Sequence, residues 1–149
     1  PEKRVLQIEE RSATIGEAEA LHIVPGEAIC AYHGISLADG QPIAIFESLF
    51  PVGRLAGIAN ALTETSSVTE ALRRVGVVDY TRTTTRLTAV RAETTKALHL
   101  QVSEGDPILK STGVNVDNSN LPVEFGRTWF AGDRVTLTLE NKTPPSRMG

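Results

Sequence analysis

Glu19-Ala20-Leu21-His22-Ile23-Val24-Pro25-Gly26-Glu27-Ala28-Ile29 and, farther along, Lys96-Ala97-Leu98-His99-Leu100-Gln101-Val102-Ser103-Glu104-Gly105-Asp106-Pro107-Ile108 say nearly the same thing twice. Each copy leads into a strand-like run, a polar turn and a second strand introduced by proline. Pro42-Ile43-Ala44-Ile45-Phe46-Glu47-Ser48-Leu49-Phe50 aligns without gaps on Pro122-Val123-Glu124-Phe125-Gly126-Arg127-Thr128-Trp129-Phe130. His22 and His99 stand 77 residues apart and the two prolines 80. A helix-turn-hairpin unit that occurs twice, in halves about 20–50 and 97–130, predicts two half-sheets related by a pseudo-two-fold. The crevice between such halves is a natural ligand site.

Composition narrows the function classes. A chain of 149 residues with 40% hydrophobic content is one domain with room for a core. A formal net charge of −3 supplies no basic field, so these residues do not hold DNA by their own surface. The single Cys30 lies in an apolar strand-like run, as a buried thiol in a reducing compartment would. One cysteine excludes an internal disulfide framework and any CxxC metal site. No apolar run reaches 18 residues and no signal-peptide pattern opens the chain. The expectation is a soluble cytoplasmic domain without a membrane partner.

Outside the repeat, Arg4–Glu10 reads as a short strand, and Thr14–Leu21 as a helix with Glu17 at capping-box distance from Thr14. Ala28–Leu37 and Pro42–Phe50 flank the turn Ala38-Asp39-Gly40-Gln41. Leu55, Ile58, Ala59 and Leu62 fall at helical spacing within Pro51–Leu62. A further helix over Ser66–Val75 has Ser66 or Ser67 as its cap and Gly76 as its stop. Tyr80–Ala92 is Thr-rich and extended, lying between the copies. Glu93–Leu100 repeats the first helix, and Ile108–Val116 with Leu121–Phe130 repeats the hairpin. Val135, Leu137 and Leu139 alternate with polar residues as a final strand, and 142–149 reads as a flexible tail. The order predicts an α+β fold with a largely antiparallel sheet flanked by helices.

Several constellations carry chemistry. Glu47 and Arg127 are repeat-equivalent, opposite in charge, and each interrupts an apolar strand face. Either they are solvated at strand ends or they pair with each other or with neighbouring charges. The alternate face carries Ala44, Phe46, Ser48 and Phe50 in one copy and Glu124, Gly126, Thr128 and Phe130 in the other. Small polar residues among aromatics resemble a pocket wall, although a face packed under helices is the alternative. With period-two alternation, Arg82, Thr84, Arg86 and Thr88 share one strand face. Two guanidinium forks with hydroxyls between them suit an oxyanion; a solvated edge that deters strand pairing is the plainer reading. His33 lies in a hairpin strand, whereas His22 and His99 belong to the helix ends. The three histidines lack metal-ligand spacing, and no nucleophile elbow, P-loop or dinucleotide glycine pattern occurs, so neither a metal nor a cofactor is expected.

Ala20–Glu27, Ala38–Ala44, Thr94–Ile108 and Pro122–Phe125 with Phe130-Ala131-Gly132-Asp133-Arg134, in that order and spacing, resemble the UTRA domain. The likeness spans about Val5 to Glu140. It implies a chorismate-lyase-like fold and the effector-binding half of a GntR-family repressor of the HutC group. Asp79–Ala89 further resembles the phosphonate-metabolism repressors of the PhnF type. In such regulators a winged helix-turn-helix precedes the UTRA domain and a homodimer reads DNA. That head is absent from this chain, so residues 1–141 are expected to be the ligand-binding domain, and DNA binding is implied for the parent only.

Departures from the family pattern redirect the expected site. Amino-sugar-phosphate sensors carry two arginines where Gly34 and Ser36 stand, a glutamate where Phe46 stands, and a tyrosine where Phe130 stands; Glu124 keeps the family acid. The resemblance therefore implies a small phosphonate-like anion held by Arg82, Arg86 and His33. Ser36, Phe46, Ser48, Ser66, Thr84, Glu124 and Phe130 complete the expected wall, Ser66 at a helix start that can hold an anion. A chorismate-lyase-type enzyme and a ligand-free dimerisation module are the alternatives, since a shared fold does not carry function.

Overall fold

Asp39 and Gly40 both adopt positive φ (51° and 77°), forming the mirror-type two-residue turn whose twist matches that of flanking strands. That turn joins β2 (Ala28–Ala38) to β3 (Gln41–Pro51) in the computed structural model, which describes residues 2–141. Before it come β1 (Glu2–Ser12) and α1 (Ile15–Leu21). After it come α2 (Ile58–Thr65), α3 (Val68–Arg74), β4 (Thr81–Arg91), α4 (Thr94–Leu100), β5 (Pro107–Val116) and β6 (Pro122–Ala131). The strands form one antiparallel sheet in the order β1-β2-β3-β6-β5-β4. This is the α+β architecture that the sequence implies.

The repeat is larger than the sequence suggests. It is a strand, a helix and a hairpin, β1-α1-β2-β3 and β4-α4-β5-β6, with α2 and α3 inserted between the copies. β4 therefore opens the second copy rather than lying between the two. Backbone hydrogen bonds repeat at an offset of 79 residues. Ala13 N–H donates to Glu27 as Ala92 donates to Asp106, and Ile23 donates to Ala18 as Val102 donates to Ala97. Buried Leu21 therefore corresponds to buried Leu100, and the Ala-Leu-His match at 77 is two residues out of register. Leu98, which that match sets against Leu21, is exposed. Burial on a helix follows its packed face, and an identical tripeptide is no guide to that face.

The core forms on both sides of the sheet. On the first face, α1 packs Ala18 and Leu21 on Ile29, Ala31 and Leu49, while α4 packs Ala97 and Leu100 on Ile45, Ile108 and Ala131. On the second face, α2 and α3 bury Ile58, Leu62, Ala71 and Leu72 against Cys30, Tyr32 and Phe50. Among the described residues no helix follows β6, so the β4-β5-β6 half of the second face stays half-open.

Two boundaries differ from expectation. Residues 135–141 are irregular rather than a strand: they pair with neither free edge of the sheet, β1 or β4, and β6 is already flanked by β3 and β5. Of the two serines offered as the α3 cap, Ser67 is the one used, so α3 begins at Val68 rather than Ser66; Ser66 closes α2 in the left-handed region. The flexible tail expected over 142–149 lies outside the described residues.

Two arginines tie the halves together. Arg54 donates through Nη1 to the Leu21 carbonyl (2.9 Å) and to the Pro122 carbonyl (2.6 Å), and through Nη2 to the His22 carbonyl (2.7 Å). Arg134 makes the matching set to Leu100, Pro42 and Gln101. Each fork caps the C-terminus of the helix in its own half, where unpaired carbonyls collect negative partial charge, and grips the hairpin of the other half.

Candidate functional site

Period-two alternation sorts the expected site residues onto two faces, and a β-bulge decides the sorting. β4 slips register between Arg82 and Thr84, so Arg82 pairs with Asn115 whereas Thr84 pairs with Val114 and Arg86 with Thr112. Arg82 and Arg86 consequently project from opposite faces, a correction to the single-face expectation. The extra residue, Thr83, leaves the alternation that sequence alone assumes.

The second face holds Arg82, Ser36, Phe46, Ser48, Glu124 and Phe130. Glu124 is buried and accepts from Asn115 Nδ2 (2.9 Å), while Asn115 Oδ1 accepts from Arg82 Nε (2.9 Å). Arg82 Nη1 donates to Thr85 (3.2 Å). A carboxylate and a guanidinium are thus held at fixed spacing through one amide. Beside them buried Ser48 stands opposite Gly126, where an added Cβ would meet nothing within 4 Å. The glycine leaves a gap in the wall between Ser48 and Glu124. Sequence reasoning missed Asn115, whose only signal was its place in a hairpin strand; the relay exists through cross-strand pairing.

Phe46 closes the other end of this face. Its ring lies 5.2 Å from that of Tyr32, and the Lys3 ammonium sits 5.4 Å from its centre. Gly34 is its cross-strand partner, and a Cβ there would collide with the Phe46 ring and come within 2.7 Å of the Arg4 carbonyl. The glycine at 34 and the phenylalanine at 46 are therefore one packing solution, not two separate departures from an arginine and a glutamate. Ser66 is exposed, and its carbonyl accepts from the Tyr32 hydroxyl (2.9 Å) and Lys3 (3.0 Å), so it fastens the α2 end to the sheet. It does not stand at a helix N-terminus, contrary to expectation.

The first face carries a continuous polar row. Gln7, His33, Glu47, Arg127, Thr112 and Arg86 are successive cross-strand partners over all six strands. Arg127 Nη2 lies 2.5 Å from Glu47 and 3.0 Å from Glu17 of α1, and Arg11 makes a two-pronged contact with Glu17 at 2.7 and 2.9 Å. His33 Nε2 stands 3.2 Å from Glu47. The Arg11 hydrogen bonds, with the Thr14 N–H and Arg127, hold the Glu17 carboxyl down at about 2 against the opposing effect of burial. Of the expected site, His33, Thr84 and Arg86 lie on this face, separated by the sheet from Arg82 and Glu124.

Comparison with known proteins places these observations. The UTRA domain model matches residues 1–136. The uncharacterized HTH-type transcriptional regulator RB1450 of Rhizobium meliloti (strain 1021) is 36% identical over 123 residues, which are 83% of this chain and 50% of that protein. This chain thus spans half the length of that relative. The crystal structure of a GntR-family transcriptional regulator from Enterococcus faecalis V583 superposes with a TM-score of 0.79 at 25% identity, over 94% of this chain and all of that one. PhnF from Mycobacterium smegmatis gives 0.84 at 20% identity, covering 95% of this chain and 63% of its own, a likeness of fold. Among the described residues no helix is long and apolar enough to cross a membrane.

Proposed function

We propose that this chain, which belongs to the UTRA domain family, is the effector-sensing domain of a GntR-type transcriptional regulator and takes its effector on the half-open second face. The Arg82-Asn115-Glu124 relay carries the reading. A guanidinium fork beside a buried carboxylate fits a small anion that also bears a hydroxyl or amino group. Phe46, backed by buried Tyr32, bounds the space, and the Ser48-Gly126 gap admits the ligand body. The effector class we assign is a phosphonate or related small anion, consistent with the resemblance of Asp79–Ala89 to PhnF-type repressors. DNA contact belongs to a separate domain of the longer protein, which works as a homodimer reading paired half-sites. The regulators among its relatives support a binding role rather than catalysis.

Calorimetric titration with methylphosphonate, 2-aminoethylphosphonate, glycerol phosphate and acetate tests this. The expected result is binding of at least one phosphorus oxyanion, weakened about tenfold or more by Arg82→Ala and by Glu124→Gln. Equal affinity in Arg82→Ala overturns the assignment of the site.

A further inference from the structure

The first face holds two hollows related by the pseudo-two-fold, one beneath α1 and one beneath α4, and they differ in size. The hollow beneath α4 is about 190 Å³ and is lined by Thr95, His99, His33 and Ile45 among others. Its counterpart beneath α1 is about 470 Å³, and Gly16, Ala20, Thr112 and Phe125 occupy the corresponding positions. The α1 residues Gly16 and Ala20 replace Thr95 and His99, and an added Cβ on Gly16 would meet nothing within 4 Å. Small side chains on one helix thus open a cavity of ligand size that the other half fills.

The larger hollow is chemically dressed as well as larger. Arg86 and Thr84 of β4 enter it beside Thr112 of β5. Among the described residues, Arg86 has no carboxylate partner within 4 Å, and the Thr84 and Thr112 hydroxyls make no side-chain hydrogen bond. Arg127, next in the same row, is by contrast held by Glu17 and Glu47 and does not line the hollow. Opposite the cation, Glu19 and His22 line the helix side, and Phe125 and Val114 form an apolar floor.

From this arrangement we propose a second ligand site, beneath α1 on the first face, for a small amino carboxylate. Its carboxylate meets Arg86, Thr84 and Thr112, its ammonium meets Glu19, and its carbon chain lies on Phe125. The site is distinct from the effector site of the second face, since the sheet separates Arg86 from Arg82. Either site can exist without the other.

The test is titration of the full chain, by calorimetry and by amide chemical shifts, with ω-amino carboxylates from glycine to 5-aminopentanoate, using butyrate and butylamine as single-charge controls. One amino carboxylate is expected to bind more tightly than either control. Arg86→Ala is expected to weaken it about tenfold or more and Glu19→Gln less, while Arg82→Ala leaves it unchanged. Gly16→Thr, which copies the filled half at an exposed helix position, is expected to abolish it. No saturable shift with any amino carboxylate up to about 10 mM, or unaltered binding in Arg86→Ala, overturns the proposal.

Discussion

Glu47 and Arg127 face one another across the β3–β6 boundary, on the axis that exchanges the two halves of the molecule. Repeat-equivalent residues can meet only on such an axis, so this pair marks it. Arg127 also reaches Glu17 on α1, and Glu47 reaches His33 on β2. The charges that interrupt two apolar strands are thereby joined to each other and to both flanks. Pairing, rather than solvation at strand ends, is the resolution, as expected when charges leave water.

Glu17 ties α1 to this axis and makes stability depend on acid. Its folded value of about 2 lies below the ordinary 4.5, so the stabilisation is complete above about pH 4.5 and is lost as pH falls toward 2. The shift corresponds to about 3 kcal/mol. Glu17→Gln is expected to lose most of that at pH 7 and to flatten the pH 2–4.5 limb in urea melts. An unchanged acid limb would show that other carboxylates govern it.

Gly34 and Phe46 are one unit. Gly34→Ala is expected to cost about 1–3 kcal/mol through overpacking. Combining it with Phe46→Leu should recover part of that loss, but not the part due to the Arg4 carbonyl at 2.7 Å. A double-mutant cycle on thermal unfolding measures the coupling, and strict additivity would contradict the contact.

The two arginine clamps should behave alike because the pseudo-two-fold relates them. Arg54→Ala and Arg134→Ala are each expected to lower stability by about 2–3 kcal/mol, each losing the hydrogen bonds to two helix-end carbonyls and one hairpin carbonyl. Lysine should rescue little, since one ammonium cannot reproduce the fork. Urea denaturation of the four variants checks the equivalence.

Cys30 is fully buried, and burial pushes its thiol up to about 11. At pH 8 the native protein is expected to react with a disulfide reagent only at the rate at which it unfolds, and at once in urea. Fast labelling under native conditions would place the thiol nearer the surface.

The hairpins, the Thr14–Glu17 capping box and the α+β class were legible in the residues because each rests on local chemistry: turn residues, cap hydroxyls and alternation. The gapless match of the strands could even have been carried four residues on, from Pro51-Val52-Gly53-Arg54 to Ala131-Gly132-Asp133-Arg134, exposing both clamps. The helix register could not be read from the shared Ala-Leu-His, because burial of Leu21 and Leu100 is set by what each helix packs against. Nor could the separation of Arg82 from Arg86, since a bulge of one residue shows only in how β4 pairs with β5. The sequence by itself determined that there are two copies of one unit. Tertiary structure decided which face each charge occupies, because a strand's facing depends on its partner, and partners lie far away along the chain.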